Sequence, residues 1–431
     1  MIHKKLLFCS TLLFFITTLY PQEQQVLRLT PEQIESLFLE QNLELLAGKF
    51  DVGIADAAVI QAKLWDNPVL SFGNISFWST ESQRAEDEVI PPLFGKFGRN
   101  TEFSIELSQW IQTAGKRRKW IKVEEASREM AICQFENMLR GLKVELRKWV
   151  NELIYSEHYF VILQRQKEIF LRVMDSYRGQ VQQNNRGRPE LFRLESAILE
   201  LETEENEYRV TLNRLQKELK TLLNIDPDYR IEVHEIAVTF KNPEELSLEN
   251  LIRMAEEFRP DLKLSRLQTE YFKKSWDYHK AQRSPDIELS LTYDRYGGVW
   301  KNFIGLGISF GLPVVNRNQG EIKMARLSHS QSLYRAEQQQ QSAHHEIKEA
   351  FDNYWLAYDF YRRIHTTDFI SEMDEMQEIY TRNLLSRNIG MTEYIDFMEA
   401  YKSNQQTLLS MEKNVFLQFE ELQYSVGIDI K

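Results

Sequence analysis

Two carboxylates three residues apart, Asp396 and Glu399, follow a glycine in the stretch SRNIGMTEYIDFMEA, Ser386 to Ala400. On a helix that spacing puts both acids on nearly one face, six and nine residues beyond Gly390. Such a pair offers one chemistry, the attraction of cations; the competing reading is an ordinary solvated helix face. Other reactive side chains offer less. His344 and His345 are neighbours in a helical pattern, where adjacent rings point about 100° apart and share a ligand face poorly, so solvated or interhelical histidines are expected. Met373 and Met376, one turn apart, have the softness to hold copper, but they fall on an apolar stripe leading to Tyr380, where packing is expected. No Ser/His/Asp or Cys/His arrangement, phosphate loop or nucleotide fingerprint occurs at a usable spacing. The expectation is a protein that is not an enzyme and has no catalytic residues, no metal site and no cofactor.

The glycine turn before the acids has a worn twin, NNRGRPELFRLESA, Asn184 to Ala197, built around Gly187. The repeat extends much further. RLTPEQIESLFLEQNLEL aligns with ELSLENLIRMAEEFRPDLKL at a shift of 217 positions, matching Thr30 with Ser247, Glu32 with Glu249, Ile34 with Leu251 and Leu45 with Leu262. Beyond the following strands the shift falls to between 201 and 203, pairing Ile121 with Ile322, Gly187 with Gly390 and Ala197 with Ala400. One unit is written twice, over residues 22–229 and 230–431.

Ahead of the first copy, Lys4 and Lys5 precede the apolar run LLFCSTLLFFITTLY and a polar PQEQQ, the layout of an export signal over residues 1–21. The small residues of a clean cleavage site are missing at Leu19 to Pro21. Cys9 lies in this run, so Cys133 is the only cysteine of the mature chain and no internal disulfide can form. No later run approaches eighteen apolar residues, which excludes membrane-spanning helices. In 431 residues, 17 Gly and 11 Pro are too few for several compact units with their loops, and the formal net charge of -11 argues against nucleic acid as a partner.

Each copy reads as helix, strand, strand, long helix, turn, helix. The first helix runs from Thr30 to about Trp65, opening on a cap at Thr30 with Pro31 behind it; its counterpart opens at Ser247. The long helix runs from about Gly115 to Asn184. Phe135, Leu139, Leu142, Leu146, Trp149 and Leu153 recur along it at steps of four and three, and Ile347, Phe351, Tyr354, Tyr358 and Tyr361 repeat the rhythm in the second copy. A helix of roughly 70 residues reaches about 100 Å and two of roughly 35 reach about 50 Å each. Two short helices stacked end to end therefore match one long one, giving antiparallel rods with both glycine turns at one far end.

Period two governs the strands. Phe103, Ile105 and Leu107 alternate with Ser104, Glu106 and Ser108; Ile287, Leu289, Leu291 and Tyr293 with Glu288, Ser290, Thr292 and Asp294; Ile304, Leu306, Ile308 and Phe310 with Gly305, Gly307 and Ser309. NPVLSFGNISFW is less regular, with a bulge expected near Gly73 and Asn74. One apolar and one polar face over about ten residues is the outer-membrane barrel pattern, and Trp78, Trp110 and Trp300 fall near strand ends where an aromatic girdle would lie. Soluble two-layer sheets alternate in the same way, but here the helical stripes are occupied by helix partners. Four strands cannot close a barrel, so the chain must oligomerise. The basic group Lys116 to Lys119 reads as an interfacial collar, Pro313 as a strand end and Asn316 as a helix start. The long segment STESQRAEDEVIPPLFGKFGRN around Glu86 reads as an extracellular loop.

The two-copy layout, NPVLSF, TAGKRRKWI, GLPVVNRNQGEI and the paired glycine turns together resemble the TolC-like outer-membrane efflux family over essentially the whole mature chain, and PVVNRNQGEI is most similar to its heavy-metal cation efflux branch. The resemblance implies a homotrimer with a twelve-stranded barrel in the outer membrane and a long helical barrel crossing the periplasm of a Gram-negative cell. It implies tip turns at Gly187 and Gly390 that dock a periplasmic adaptor and an inner-membrane pump of the resistance-nodulation-division type. It also implies a gate: six and nine residues after the turn glycine the family carries acids lining the narrowest part of the tunnel, here Asp396 and Glu399. The first copy departs, with Arg193 and Ser196 at those places. The competing expectation is a secreted or periplasmic coiled-coil protein, structural or adhesive, whose strands form an ordinary sheet.

Overall fold

The computed structural model describes residues 25–75, 102–181, 187–234, 240–295, 302–365 and 369–430. The expected export signal, the segment around Glu86, Trp78, Trp300 and Asn184 lie outside the described residues. In chain order the elements are β1 (Gln25–Leu29), α1 (Pro31–Gln41), α2 (Leu43–Lys63), β2 (Val69–Gly73), β3 (Phe103–Ile111), α3 (Lys116–Val181), α4 (Arg188–Leu223), β4 (Tyr229–Val233), α5 (Leu248–Phe258), α6 (Pro260–Ala281), β5 (Ile287–Arg295), β6 (Phe303–Phe310), α7 (Gln319–His365), α8 (Phe369–Leu385) and α9 (Met391–Val426). The chain is mainly helical. None of its described helices is long and apolar enough to cross a membrane.

The 66-residue α3 is the spine. Its heptad stripe does what the spacing predicts: Leu142, Leu146 and Leu153 are buried, and with Phe135, Leu139 and Trp149 they pack in one core with Leu212, Leu215, Leu219 and Leu223 of α4. Above that core α2 takes over, so that α4 and α2, 36 and 21 residues long, run end to end along α3. The second stripe behaves alike. Ile347 and Tyr354 of α7 are fully buried against Val415 and Leu422 of α9, with Phe351, Tyr358 and Tyr361 alongside. Because α3 also packs on α6 and α9, and α6 and α9 on α7, the upper helices form a wall in the order α2, α3, α6, α7.

The helix expected from Thr30 to Trp65 is broken at Asn42. Thr30 caps α1 as predicted, in a reciprocal capping box with Gln33, but Asn42 takes an extended conformation (φ -62°, ψ 120°) and its Oδ1 accepts the Leu45 N–H to start a new helix. The counterpart breaks 217 positions on, at Arg259, where Pro260 cannot continue the α5 hydrogen-bond ladder. Two short strands were also not expected: β1 and β4 pair in parallel, Val26 beside Arg230 and Leu27 beside Ile231.

At the far end from the tips, β2, β3, β5 and β6 form an antiparallel four-stranded sheet in that order. Register turns the predicted alternation into rows. Leu70, Leu107, Leu291 and Leu306 lie side by side across all four strands, and so do Phe72, Ile105, Tyr293 and Ile304. The opposite face carries the row Ser71, Glu106, Thr292 and Gly305. Regular pairing ends at Gly73, and Asn74 has a left-handed φ of 51°, in keeping with the irregularity expected there. Trp110 stands apart from the expected girdle: it is in register with Glu288 and Ser309, on the polar face.

Two further expectations are corrected at the joint between sheet and helices. Lys116 is no collar residue. It is buried, with its Nζ 2.8 Å from Asp286, while Arg117 donates to the Lys63 carbonyl and lies over the Trp65 ring. The second long helix begins at Gln319 rather than Asn316, whose Oδ1 accepts the Asn318 N–H in a local turn.

Candidate functional site

The tips are built from two helical hairpins packed as one body. Buried Phe170, Leu194 and Ile198 of the α3–α4 hairpin share a core with Leu384 of α8 and with Met391, Tyr394 and Met398 of α9. Positions 391, 394 and 398 point inward, so helical periodicity turns Asp396 and Glu399 outward, and both are exposed. Glu393, three residues earlier and also exposed, adjoins them. Sequence reading overlooked it, although the signal was present: it repeats the same three-residue step.

Both glycines expected at the turns start a helix, but they are not equivalent. Gly187 has φ 129° and ψ 1°, a conformation an L side chain rarely adopts. Gly390 is extended (φ -86°, ψ 159°) and a Cβ there would meet nothing within 4 Å; the left-handed residue of that turn is Arg387, with φ 62°. Arg193, which occupies in the first hairpin the place Asp396 holds in the second, donates a hydrogen bond to Thr392 Oγ1 and ties the two hairpins together. Ser196 bonds back to the Phe192 carbonyl at 3.0 Å.

The other candidates resolve as packing or surface. His344 Nε2 lies 3.1 Å from Glu256 Oε1 of α5, an interhelical pair, and His345 is exposed. Met373 is buried as expected, whereas Met376 is 47% exposed. Cys133 is a buried free thiol pushed up by burial. Among the described residues no three His, Cys, Asp or Glu side chains group as metal ligands.

The sheet is the second part of the site. On its apolar face Leu70 is 56%, Leu107 45%, Leu291 46% and Leu306 87% exposed. Burying a leucine side chain is worth about 1.5–3 kcal/mol, so one such row leaves several kcal/mol unrealised unless something covers it. On the polar face Thr292 donates to Glu106 at 3.3 Å and Ser309 to Glu288 at 2.9 Å.

No protein-family model and no curated relative matches this chain. Solved structures do. The Campylobacter jejuni CmeC outer membrane channel superposes with a TM-score of 0.75 at 13% identity, covering 92% of this chain and 85% of that one. CusC, solved in relation to transmembrane channel formation, gives 0.74 at 15% identity over 93% and 92%. The outer membrane protein VceC from Vibrio cholerae gives 0.73 at 14% identity over 93% and 97%. This chain thus has the fold of these outer-membrane proteins along nearly its whole length.

Proposed function

We propose that the protein is the outer-membrane exit duct of a tripartite efflux system, a passive conduit rather than a catalyst. The observation that carries this reading is the uncovered apolar face of the sheet, with one row of exposed leucines running across all four strands, a second row exposed at its ends, Phe72 and Ile304, and edges at β2 and β6 that are unpaired among the described residues. An edge left open in lipid is prohibitively costly. Three copies closing edge to edge give a twelve-stranded barrel, apolar outside and polar inside, in the Gram-negative outer membrane.

The helices support the same side-by-side association of copies. The wall of helices is bounded by α2 and α7, which expose Phe50 and Ile54 on one side and Leu327 and Tyr334 on the other. Burying these against neighbouring copies makes a helical tube that continues the barrel across the periplasm. The two copies of the repeat, residues 22–229 and 230–431, then contribute two tips per subunit, at Gly187 and Gly390, which dock a periplasmic adaptor and an inner-membrane pump of the resistance-nodulation-division type. Asp396 and Glu399 form the constriction, up to six negative charges around one pore in a trimer, a field that favours cations. Heavy-metal cations are the cargo this reading favours. No nucleic acid and no cofactor takes part.

Cross-linking of the mature protein extracted in detergent tests the assembly. Stable trimers are expected; monomers or dimers alone would defeat it.

A further inference from the structure

Where α3, α4 and α9 converge, a cavity of about 260 Å³ is lined by Tyr155 and Tyr159 of α3, Tyr208 of α4 and three charged groups, Glu152, Glu207 and Lys413. Tyr155 and Tyr159 are four residues apart and so share one helix face. The Tyr159 and Tyr208 rings, with centroids 4.7 Å apart and planes inclined at 50°, form a corner. Their hydroxyls already have partners: Tyr159 donates to Glu204 at 2.7 Å, and Gln406, itself part of the lining, hydrogen-bonds the Tyr208 oxygen. That leaves the rings to act as walls.

Charge balance gives the cavity its sign. Lys413 is neutralised by Glu152 at 3.0 Å, and Glu204 by Lys402 at 2.7 Å. Glu207 at the rim is exposed and has no ion pair among the described residues, so the lining carries one net negative charge. The Tyr208 phenol is shifted by burial and by the paired carboxylates rather than by Glu207. It is pushed above its ordinary value by burial first, then by the Glu204 carboxylate, with Glu152 adding to the shift and Gln406 opposing it.

We propose that this cavity binds an alkylammonium head group of the choline type. Aromatic faces around a desolvated positive charge are the recognised way to hold a quaternary ammonium, and one uncompensated carboxylate at the rim supplies the counter-charge. Volume selects among organic cations. Drug-sized ligands occupy about 300–1,000 Å³, so this smaller cavity takes a head group rather than a whole polycyclic dye. An anion would meet Glu207 unpaired, and a metal ion would meet aromatic rings in place of ligands. The site lies within one subunit and does not depend on the exit-duct reading.

Calorimetric titration of the full mature chain in detergent at low salt, with choline and with its neutral isostere 3,3-dimethylbutan-1-ol, tests the proposal. Choline should bind, and the alcohol should bind at least about tenfold more weakly. Glu207→Gln and Tyr155→Leu should each weaken choline about three- to tenfold, while Tyr155→Phe, which keeps the ring, should retain it. Glu207 is exposed, so its variant reads the site even if Tyr155→Leu misfolds. Equal binding of choline and the alcohol, absence of choline binding, or unchanged affinity in Glu207→Gln would each overturn the assignment.

Discussion

Asn42 donates from its Nδ2 to the Leu222 carbonyl at 2.8 Å, joining the start of α2 to the last turn of α4. The second half of the chain makes the same joint with different chemistry: Arg259 donates from Nη1 to the Ser425 carbonyl at 2.9 Å, at the last turn of α9. In each case the residue that breaks one helix satisfies an orphan carbonyl of the helix stacked end to end with it. The long rods therefore carry a stitched joint at mid-length, where two short helices meet beside a continuous one.

Removing the first stitch should be costly. Asn42 is buried and makes both bonds, so Asn42→Ala leaves the Leu45 N–H and the Leu222 carbonyl without partners, at about 1–3 kcal/mol. A lowered Tm of the detergent-solubilised protein, with faster amide exchange at the start of α2, is the expected outcome. An unchanged Tm would mean that the joint is held by packing alone.

The second joint should be acid-labile. Burial by itself would raise the Asp261 carboxyl, but the paired hydrogen bonds from Arg259 at 3.0 and 2.6 Å, the charges of Arg259 and Arg140 and the Leu262 N–H outweigh it and hold the group below its ordinary 3.8. A depressed carboxylate contributes stability that is fully present above its unfolded value and is lost as pH falls through its folded value. The Tm of the native protein should therefore fall more steeply below about pH 4 than that of Asp261→Asn, which should already be less stable at pH 7. Parallel pH profiles would contradict the role given to Asp261.

At the tips the two glycines should respond differently to the same change. Gly187→Ala puts a side chain at φ 129°, a strain of about 1–3 kcal/mol, whereas Gly390 is extended and faces open space. Proteolytic nicking near residue 187 should rise in the first variant and stay at the native level near residue 390 in the second. Equal responses would mean that backbone conformation does not decide either turn.

Much of this was legible in the sequence because period alone carried it. The heptad steps from Phe135 to Leu153 and the alternation from Ile287 to Tyr293 named the buried and apolar faces. Parity also placed Trp110 correctly, in phase with Glu106 and Ser108, and only the expectation of a girdle overrode it. The break at Asn42 was hidden because asparagine inside LEQNLEL is compatible with a continuing helix, and the Leu222 carbonyl that makes a break favourable is 180 residues away. Pro260 was the local signal for the second break. The pairs β1 and β4 were missed because QVLRL and YRIEV are five residues each, too short for a period to stand out, and their partner choice is non-local. The inequality of Gly187 and Gly390 is a matter of φ, which residue type does not specify.

For the proposed constriction, Asp396→Asn with Glu399→Gln should leave folding and assembly intact, since both acids are exposed. In planar bilayers the double variant should lose cation selectivity and block by trivalent cobalt complexes. Unchanged selectivity and block would remove these acids from the pore.

The most direct measurement is the conductance of the purified mature protein reconstituted in a planar bilayer, taken together with its oligomeric state in detergent. Discrete ion-conducting steps from a trimer that requires detergent to remain in solution are the predicted result. A monodisperse monomer that stays soluble without detergent and produces no conductance would contradict the exit duct and favour a coiled-coil protein whose sheet is covered in some other way.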